Sequence, residues 1–385
     1  GRERPAAGPG SAVLGGLLRA ALFAAPMAVK FLLRVAGTLL LAWAAAAACV
    51  ALHTPLPWML GPLVATSVLS MAGAPTESWG PLRNGGQWAI GAALGLYFTP
   101  EVSVLVGSLW WAIVLGIGWA LLLGWGFGAW LYRLHAPRMH GVPASMLRST
   151  SYFAGAIGAA SEMTLLSERE NARTDLVAAS HSLRLLIVTI TIPFALQWSG
   201  LQGLDILIPT VRDVSWPGLA LLALLTGAGA LVMDRLGRAN PWFMGAMLVS
   251  MAVTMAGLHL SAVPQALVNA AQLVIGVSLG VRFRAEFLHT APRWLASVAV
   301  GTFGLMGICA AFAAVLAWAT GLPWVTLLLG TSPGGITEMA ITAKVLQLGV
   351  PVVTAFQVCR LIAVLMLVGP MFRRIYPPTE GGSAI

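Results

Sequence analysis

Charged residues are the scarcest feature of this sequence. Asp, Glu, Lys and Arg make up 9% of its 385 residues, whereas a soluble domain has roughly 25%. Hydrophobic residues make up 58%, and the mean hydropathy is +0.85. This composition excludes an ordinary soluble domain and predicts a polytopic membrane protein. Because no alternating segments of about 10 residues occur, we expect helices rather than a transmembrane barrel.

Residues typical of metal and redox chemistry are also few. The three cysteines lie inside apolar runs, and neither they nor the six histidines have disulfide or metal-ligand spacing. No phosphate-binding loop or nucleophile elbow occurs. We therefore expect no enzyme activity, no catalytic residue, no metal site and no cofactor.

Acidic residues number 13 against 22 Lys and Arg, which gives a net charge of +9. In a soluble protein this excess would suggest nucleic acid as a partner. Here the basic residues lie mostly between the apolar runs, where positive charge marks cytoplasmic loops. We therefore expect the lipid bilayer as a partner, together with a small-molecule or ion substrate, and no nucleic acid. A homo-oligomer is left open.

Two blocks of the first half of the chain recur in the second half. Residues 55–73 align with residues 239–257 through a shared Pro-Trp-x-x-Gly, at an offset of 184. Residues 85–101 align with residues 270–286 through Gln-x-x-Ile-Gly-x-x-Leu-Gly, at an offset of 185. The preserved order indicates an internal duplication.

A third block repeats a glutamate and a later arginine. GAIGAASEM, which ends at Met163, corresponds to TSPGGITEM, which ends at Met339. Each methionine is followed 21 positions later by an arginine, Arg184 or Arg360. We divide the chain into an N-terminal tail with an interfacial helix, a first repeat, a linker, a second repeat and a C-terminal tail: residues 1–34, 35–200, 201–215, 216–376 and 377–385.

Loop charges predict that the two repeats insert in opposite directions. Residues 133–148 carry three arginines, whereas the corresponding residues 320–323 carry none. Residues 234–240 carry two arginines, whereas the corresponding residues 52–56 carry none. By the positive-inside rule this is the pattern of an inverted repeat, with both termini on the cytoplasmic side of a bacterial inner membrane.

Inversion requires an odd number of crossings in each repeat, although each repeat has about six apolar segments. We therefore predict an all-α fold of two inverted-topology repeats with about five transmembrane helices each. The sixth segment would be re-entrant or a broken helix, and the Gly-, Ser-, Thr- or Pro-rich residues 150–166 and 328–346 are the candidates. Interrupted segments at matching positions of two repeats indicate a transporter binding site.

The two broken segments and the helices after them contain the candidate site residues. Glu162 and Glu338 would titrate protons or coordinate a cation; alternatively, each caps a helix or pairs permanently with an arginine. Arg184 and Arg360 lie in apolar runs and would hold an anionic substrate, or form a fixed ion pair with the glutamates.

Eight further residues would supply hydroxyl groups, exposed backbone dipoles or a polar lining. The alternatives are a tight turn with helix caps and, for the histidine, a satisfied interior side chain. These residues are Ser161, Ser332, Pro333, Gly334, Gly335, Thr337, His181 and Gln357.

The repeated motifs resemble the AbrB family of membrane proteins, with its duplicated AbrB domain, over almost the whole chain after residue 30. The most specific stretch is Ser-Pro-Gly-Gly-Ile-Thr-Glu-Met at residues 332–339, whereas residues 156–163 depart from it by lacking the proline and one glycine. The resemblance implies an integral inner-membrane protein. Family labels include regulation of gene expression and ammonia monooxygenase.

Together these features predict a secondary transporter that works by alternating access. Its substrate would be a small anionic or polar metabolite, coupled to protons or cations. One alternative is a membrane protein that regulates gene expression without transport. Another is a membrane monooxygenase subunit.

Overall fold

The computed structural model describes residues 9–139, 141–200, 213–283 and 291–377, with side chains from residue 29 onward. This part of the chain forms fifteen α-helices and no strand, which confirms the all-α polytopic membrane fold. The first repeat contains α1 (Pro9–Ala51), α2 (Pro57–Met71), α3 (Gly80–Gly95), α4 (Pro100–Ser108), α5 (Trp110–His135), α6 (Ala144–Gly155), α7 (Ala160–Arg169) and α8 (Thr174–Ser199). The second contains α9 (Trp216–Arg235), α10 (Pro241–Met255), α11 (Gln265–Gly280), α12 (Pro292–Thr320), α13 (Trp324–Thr331), α14 (Ile336–Val345) and α15 (Val350–Ile375).

Six helices in the described part are long and apolar enough to cross a membrane: Val29–Ala51 of α1, together with α5, α8, α9, α12 and α15. Helices α2, α10 and α11 have 15 or 16 residues. Such lengths rise by about 22–24 Å, against a hydrocarbon core of about 30 Å. Helices α3 and α4 form a pair bent by 90°. Five crossings per repeat would require α2, α3, α10 and α11 to cross as well, so that number stays a prediction.

The structure can be compared with the predicted domain boundaries at the N-terminal boundary, the linker and the C-terminal tail. Helix α1 is continuous from Pro9 to Ala51, so the boundary predicted at residue 34, after an interfacial helix, lies inside one helix. The predicted linker and C-terminal tail have only residues 213–215 and residue 377 within the described ranges. Those two predictions therefore lie almost entirely outside the described residues.

The glycines of the repeated Ile-Gly-x-x-Leu-Gly motif form reciprocal contacts between the repeats. A β-carbon at Gly91 of α3 would collide with the carbonyl oxygen of Phe243 in α10. A β-carbon at Gly276 of α11 would lie 2.5 Å from the carbonyl oxygen of Met59 in α2. Met59 and Phe243 are themselves counterparts in the alignment, at the offset of 184. Helix α3 of the first repeat therefore packs closely against α10 of the second, and α11 of the second repeat packs closely against α2 of the first.

Helices α3 and α11 cross each other at counterpart residues. A β-carbon at Gly86 would lie 3.0 Å from the carbonyl oxygen of Ala271, its counterpart. Arg83, which precedes this crossing point in α3, and Arg282, which follows the end of α11, line the same cavity. The two helices therefore run antiparallel. A pseudo-two-fold axis perpendicular to the helices relates them, as an inverted repeat requires.

Helices α6 and α7 form a hairpin, because their outer ends lie on the same face of the molecule. The Arg148 guanidinium, near the start of α6, lies 5.4 Å from the ring centroid of Tyr132 in α5 and 5.5 Å from that of Tyr376 after α15. Glu170, just after α7, accepts a 2.8 Å hydrogen bond from Nε of Arg373 in α15. We call this side the basic face, after the arginines at the ends of α5 and α15: Arg133, Arg138, Arg373 and Arg374.

Helices α13 and α14 form the second hairpin, which lies at the opposite end of the neighbouring long helices. Helix α12 starts beside the end of α5, where His135 Nε2 and Ser297 Oγ are 3.1 Å apart. Helix α12 therefore ends, and α15 begins, away from the basic face. Because α13 and α14 connect those two ends, the two hairpins enter from opposite sides.

Cysteine labelling tests this arrangement at two counterpart residues. Arg169 ends α7 and Val345 ends α14, and both are exposed. In a variant whose three cysteines are replaced by alanine, Arg169→Cys and Val345→Cys are each expected to react with a membrane-impermeant maleimide from one side of oriented vesicles only, and from opposite sides. Labelling of both from the same side would contradict the inverted repeat.

Candidate functional site

Both hairpins are interrupted by a four-residue break in the helix. Helices α6 and α7 are separated by residues 156–159, and α13 and α14 by residues 332–335. The breaks begin alike, since ψ is 140° at Ala156 and 149° at Ser332. The first break has this geometry without a proline, so Pro333 is not required to end the helix. The breaks also end alike, with φ and ψ of −71° and 137° at Ala159 and −77° and 151° at Gly335, so the departure of the first repeat from the Pro-Gly-Gly motif keeps the backbone geometry at both ends of the break.

The carbonyl groups at the two breaks are satisfied by the two intramembrane arginines. Arg184 of α8 donates hydrogen bonds to the carbonyl oxygens of Ala154, Gly155 and Ala156, at 3.2, 3.3 and 2.7 Å. Arg360 of α15 donates to those of Ser332 and Gly334, the second at 2.8 Å. The last carbonyls of a helix lack intrahelical partners and form the negative end of its dipole. Arg184 therefore caps the end of α6, whereas Arg360 satisfies carbonyls of the break that follows α13.

His181 and Gln357 complete this arrangement from the same positions in the two repeats. His181 contacts the Phe153 carbonyl through Nε2 at 2.9 Å and Arg184 Nη2 through Nδ1 at 2.7 Å. Because a carbonyl only accepts and a guanidinium only donates, this histidine is the neutral tautomer with hydrogen on Nε2. Gln357 likewise donates to the Leu329 carbonyl and accepts from Arg360. Both residues are satisfied interior groups.

The fixed ion pairs considered from the sequence are not formed. Ion pairs within 4.0 Å among the described residues join Arg34 to Glu77, Arg173 to Asp175 and Arg373 to Glu170. None involves Glu162 or Glu338. The hairpins are held to α8 and α15 through backbone carbonyls instead, which leaves the two carboxylates free of this structural role.

A cavity of about 140 Å³ lies where the tips of the two hairpins meet. Ten of the twelve predicted site residues line it, whereas Ser332 and Gln357 are fully buried and contact Arg360 by hydrogen bonds. The ten are Ser161, Glu162, His181, Arg184, Pro333, Gly334, Gly335, Thr337, Glu338 and Arg360. Within the described residues, no group of three His, Cys, Asp or Glu could hold a metal ion.

The two glutamates have different surroundings although both are the third residue of a hairpin helix. Glu338 is 7% exposed, and its carboxylate forms no hydrogen bond or ion pair with another residue in the described part of the chain. Glu162 is partly exposed and accepts a 2.7 Å hydrogen bond from Ser161 Oγ. A β-carbon at Gly335 would collide with the Glu338 carboxylate, whereas Ala159 occupies the corresponding position of the first repeat. Gly335 therefore allows Glu338 to fold back over the start of α14.

Sequence reasoning missed five polar residues of the cavity wall, one of which is Ser278. The other four are Arg83, Gln87, Asn240 and Arg282, and Gln87 Nε2 donates a 2.9 Å hydrogen bond to Asn240 Oδ1. In the sequence, Arg83 and Arg282 lie between apolar runs, where a positive charge is most simply explained by membrane topology. The missed signal is that Arg83 and Arg282 have no basic counterpart at the offset of 185.

The polar wall exists on one side of the hairpin tips only. On the opposite side, Gln272, the counterpart of Gln87, is polar but only 2% exposed, and the counterparts of Arg83, Asn240, Ile275 and Leu279 are fully buried and apolar. These counterparts are Val268, Leu56, Ile90 and Leu94. The cavity is open where Ser161 and Arg282 are exposed. Arg282 lies between α11 and the start of α12, so the opening is toward the basic face.

The equivalence of His181 and Gln357 generates a stability prediction. His181→Gln is expected to keep the melting temperature within about 2 °C, because glutamine can donate to the Phe153 carbonyl and accept from Arg184. His181→Leu is expected to destabilise the fold by about 2–5 kcal/mol, because it leaves a buried guanidinium without one acceptor. Thermal unfolding in detergent measures both. Equal loss in the two variants would contradict the assigned hydrogen bonds.

Comparison with known proteins agrees with the resemblance inferred from the motifs. The family model described as "Transition state regulatory protein AbrB" matches residues 58–376. A protein of Escherichia coli (strain K12) named "Putative regulator AbrB" is 26% identical over 332 residues, which cover 84% of this chain and 91% of that protein. "Uncharacterized protein YhjN" of Bacillus subtilis (strain 168) is 25% identical over 355 residues, covering 83% and 87%. No solved structure matches. Because the family model spans both repeats with their hairpins and arginines, this chain is a member of the AbrB family.

Proposed function

We propose that this protein is a secondary transporter of a small anionic or polar metabolite, coupled to protons or cations, and not an enzyme. It would lie in a bacterial inner membrane, with the basic face and both termini in the cytoplasm. The observation that carries the proposal is the cavity where two helix breaks from opposite sides meet. Breaks in corresponding helices of two repeats are typical of transporter binding sites.

The packing around the cavity supports alternating access. One side of the hairpin tips is open and polar, whereas the counterparts on the other side are buried and, apart from Gln272, apolar at the positions of Arg83, Asn240, Ile275 and Leu279. In alternating access, each repeat would adopt the conformation that the other has now. The cavity would then open on the opposite side of the hairpin tips and close on the side that is open in this structure. In this scheme the structure corresponds to a conformation that opens toward the cytoplasm.

Glu338 is the stronger coupling residue of the two glutamates. Its carboxylate is buried against the cavity without a fixed partner, so gain or loss of a proton would change the charge that a substrate meets. Glu162 is more exposed and already bonded to Ser161. We therefore assign proton or cation coupling to Glu338 first and a weaker contribution to Glu162.

A role in regulation is the second candidate, and the printed names favour it. The family description and the relative from Escherichia coli both name a regulator. A regulatory effect could arise indirectly, because a transporter changes the concentration of a metabolite that other proteins sense. If the protein regulates without transport, replacing Glu162 or Glu338 should leave its regulatory effect unchanged.

Proton flux in proteoliposomes tests coupled transport. A pH-sensitive dye trapped in the vesicles reports proton movement when small organic acids, amines and amino acids are added. We expect substrate-dependent flux in the unmodified protein and at least a tenfold loss in Glu338→Gln, because an amide cannot titrate. Glu162→Gln is the matched control and should keep most of the flux. Flux that survives Glu338→Gln would remove coupling from this residue, and no flux with any compound would favour regulation without transport.

Gly335→Ala tests the position of the Glu338 carboxylate without removing it. The added methyl group would displace the carboxylate, while the φ of −77° at Gly335 suits alanine. We expect a nearly unchanged melting temperature and a loss of proton flux comparable to that of Glu338→Gln. The control is Ala159→Gly at the corresponding position, which should leave flux intact. Unchanged flux in Gly335→Ala would contradict a role for the observed carboxylate position.

A further inference from the structure

The wall of the cavity carries more positive than negative charge. Four arginines and two glutamates line it: Arg83, Arg184, Arg282, Arg360, Glu162 and Glu338. With all six groups ionised, the lining has two positive charges in excess. Charges away from bulk water are costly unless opposite charge accompanies them. The excess therefore favours a ligand that brings two negative charges.

Three of these arginines still have unused hydrogen-bond donors. Nε of Arg360 is buried without a partner in the described structure, and Arg360 is only 5% exposed. Nε of Arg83 is likewise buried and unpaired there. The Arg282 guanidinium forms no hydrogen bond or ion pair with another described residue, although it lies within electrostatic range of Arg83 and Glu338. Unpaired buried donors are rare in native proteins, so the Nε atoms of Arg83 and Arg360 indicate a missing acceptor, and the exposed Arg282 guanidinium lies at the opening of the same cavity.

Two helix N-termini also favour an anionic ligand in the cavity. Helices α7 and α14 have 10 residues each, and their first-turn residues line the cavity from both hairpins. The first N–H groups of a helix have no intrahelical partner and carry partial positive charge. Ala160, Ser161, Ile336 and Thr337 supply this part of the wall. Arginine forks and helix N-termini both bind carboxylate and phosphate groups.

We propose that the cavity binds a small dianion, held by Arg83, Arg282 and the free Nε of Arg360 between the N-termini of α7 and α14. The ligand would carry two carboxylates or one phosphate group. This inference rests on the proposed function and assigns the substrate class of the same cavity. Arg184 is excluded from direct binding, because carbonyl groups and His181 already accept from both of its terminal nitrogens.

The test is ligand-dependent thermal unfolding of the purified full-length chain in detergent. The probes are inorganic phosphate, malonate and succinate, each titrated at constant ionic strength against chloride, with acetate as the monoanion control. We expect a saturable rise in melting temperature with at least one dianion and none with acetate. A response to phosphate alone identifies a phosphoryl ligand, and a response to malonate or succinate alone identifies a dicarboxylate; either supports the proposal.

Arginine variants locate the bound anion. Arg83→Gln and Arg282→Gln are each expected to weaken the apparent affinity about tenfold or more, because each removes a charge-assisted contact. Arg238→Gln is the matched control, since Arg238 is an exposed arginine at the end of α9 that does not line the cavity. The melting temperature without ligand shows whether each variant is folded.

Two results would overturn the inference: no saturable shift with any of the three dianions, or equal loss in Arg238→Gln and the cavity variants. The proposed function fails differently. Specific dianion binding without flux in proteoliposomes would refute transport and keep the site. Proton-coupled flux of a cationic or neutral compound, without dianion binding, would keep transport and refute the dianion.

Discussion

Backbone groups in an apolar surrounding must find hydrogen-bond partners, and this requirement governs the site. A four-residue break inside each hairpin leaves the last carbonyls of α6 and α13 without intrahelical partners. No bulk water is available in hydrocarbon to satisfy them, and each unsatisfied group would be costly. Arg184 donates to carbonyls at the end of α6 and in the first break, Arg360 donates to carbonyls of the second break, and Gln357 donates to Leu329 near the end of α13. The helix that follows each hairpin is therefore also the element that makes its break tolerable.

The arginines that satisfy the backbone carbonyls also make the cavity positively charged. Carbonyl groups are dipoles and offset a guanidinium charge only in part. Two buried arginines therefore keep the region positive even though their hydrogen bonds are largely complete. A carboxylate such as Glu338 can then stay near them without forming a fixed ion pair. The structural and the functional roles of charge are thus divided between different residues.

Much of the architecture could be predicted from the sequence, because repetition and hydropathy are visible in it. The paired breaks, the arginines 21 positions after each methionine and the equivalence of His181 with Gln357 follow from the alignment of the two halves. The partners of the arginines could not be predicted in the same way. A sequence distinguishes residues only by their side chains, so the glutamates were the evident candidates to pair with Arg184 and Arg360. In the structure these arginines bind backbone carbonyls, which every residue has and which no sequence pattern marks.

The difference between the repeats was harder to predict than their likeness. The change from Gly335 to Ala159 looks minor, yet it decides whether a carboxylate can fold over the start of its helix. Arg83 and Arg282 enter the cavity only because α3 and α11 cross at the pseudo-two-fold axis. That crossing depends on contacts between residues 185 positions apart, which no local pattern reveals.

The reciprocal glycine contacts have a consequence for how the protein is made. Helix α2 packs on α11, which begins 208 residues later (from Pro57 to Gln265), and α3 packs on α10, which begins 161 residues later (from Gly80 to Pro241). At about 5–20 residues per second, the first half would stay without its partner for roughly 10–40 s. During that interval the faces around Gly91 and Gly95, built for close contact with another backbone, have only lipid or insertion factors beside them. Biogenesis of the first half therefore depends on the second, and a chain interrupted between them would lack a complete fold.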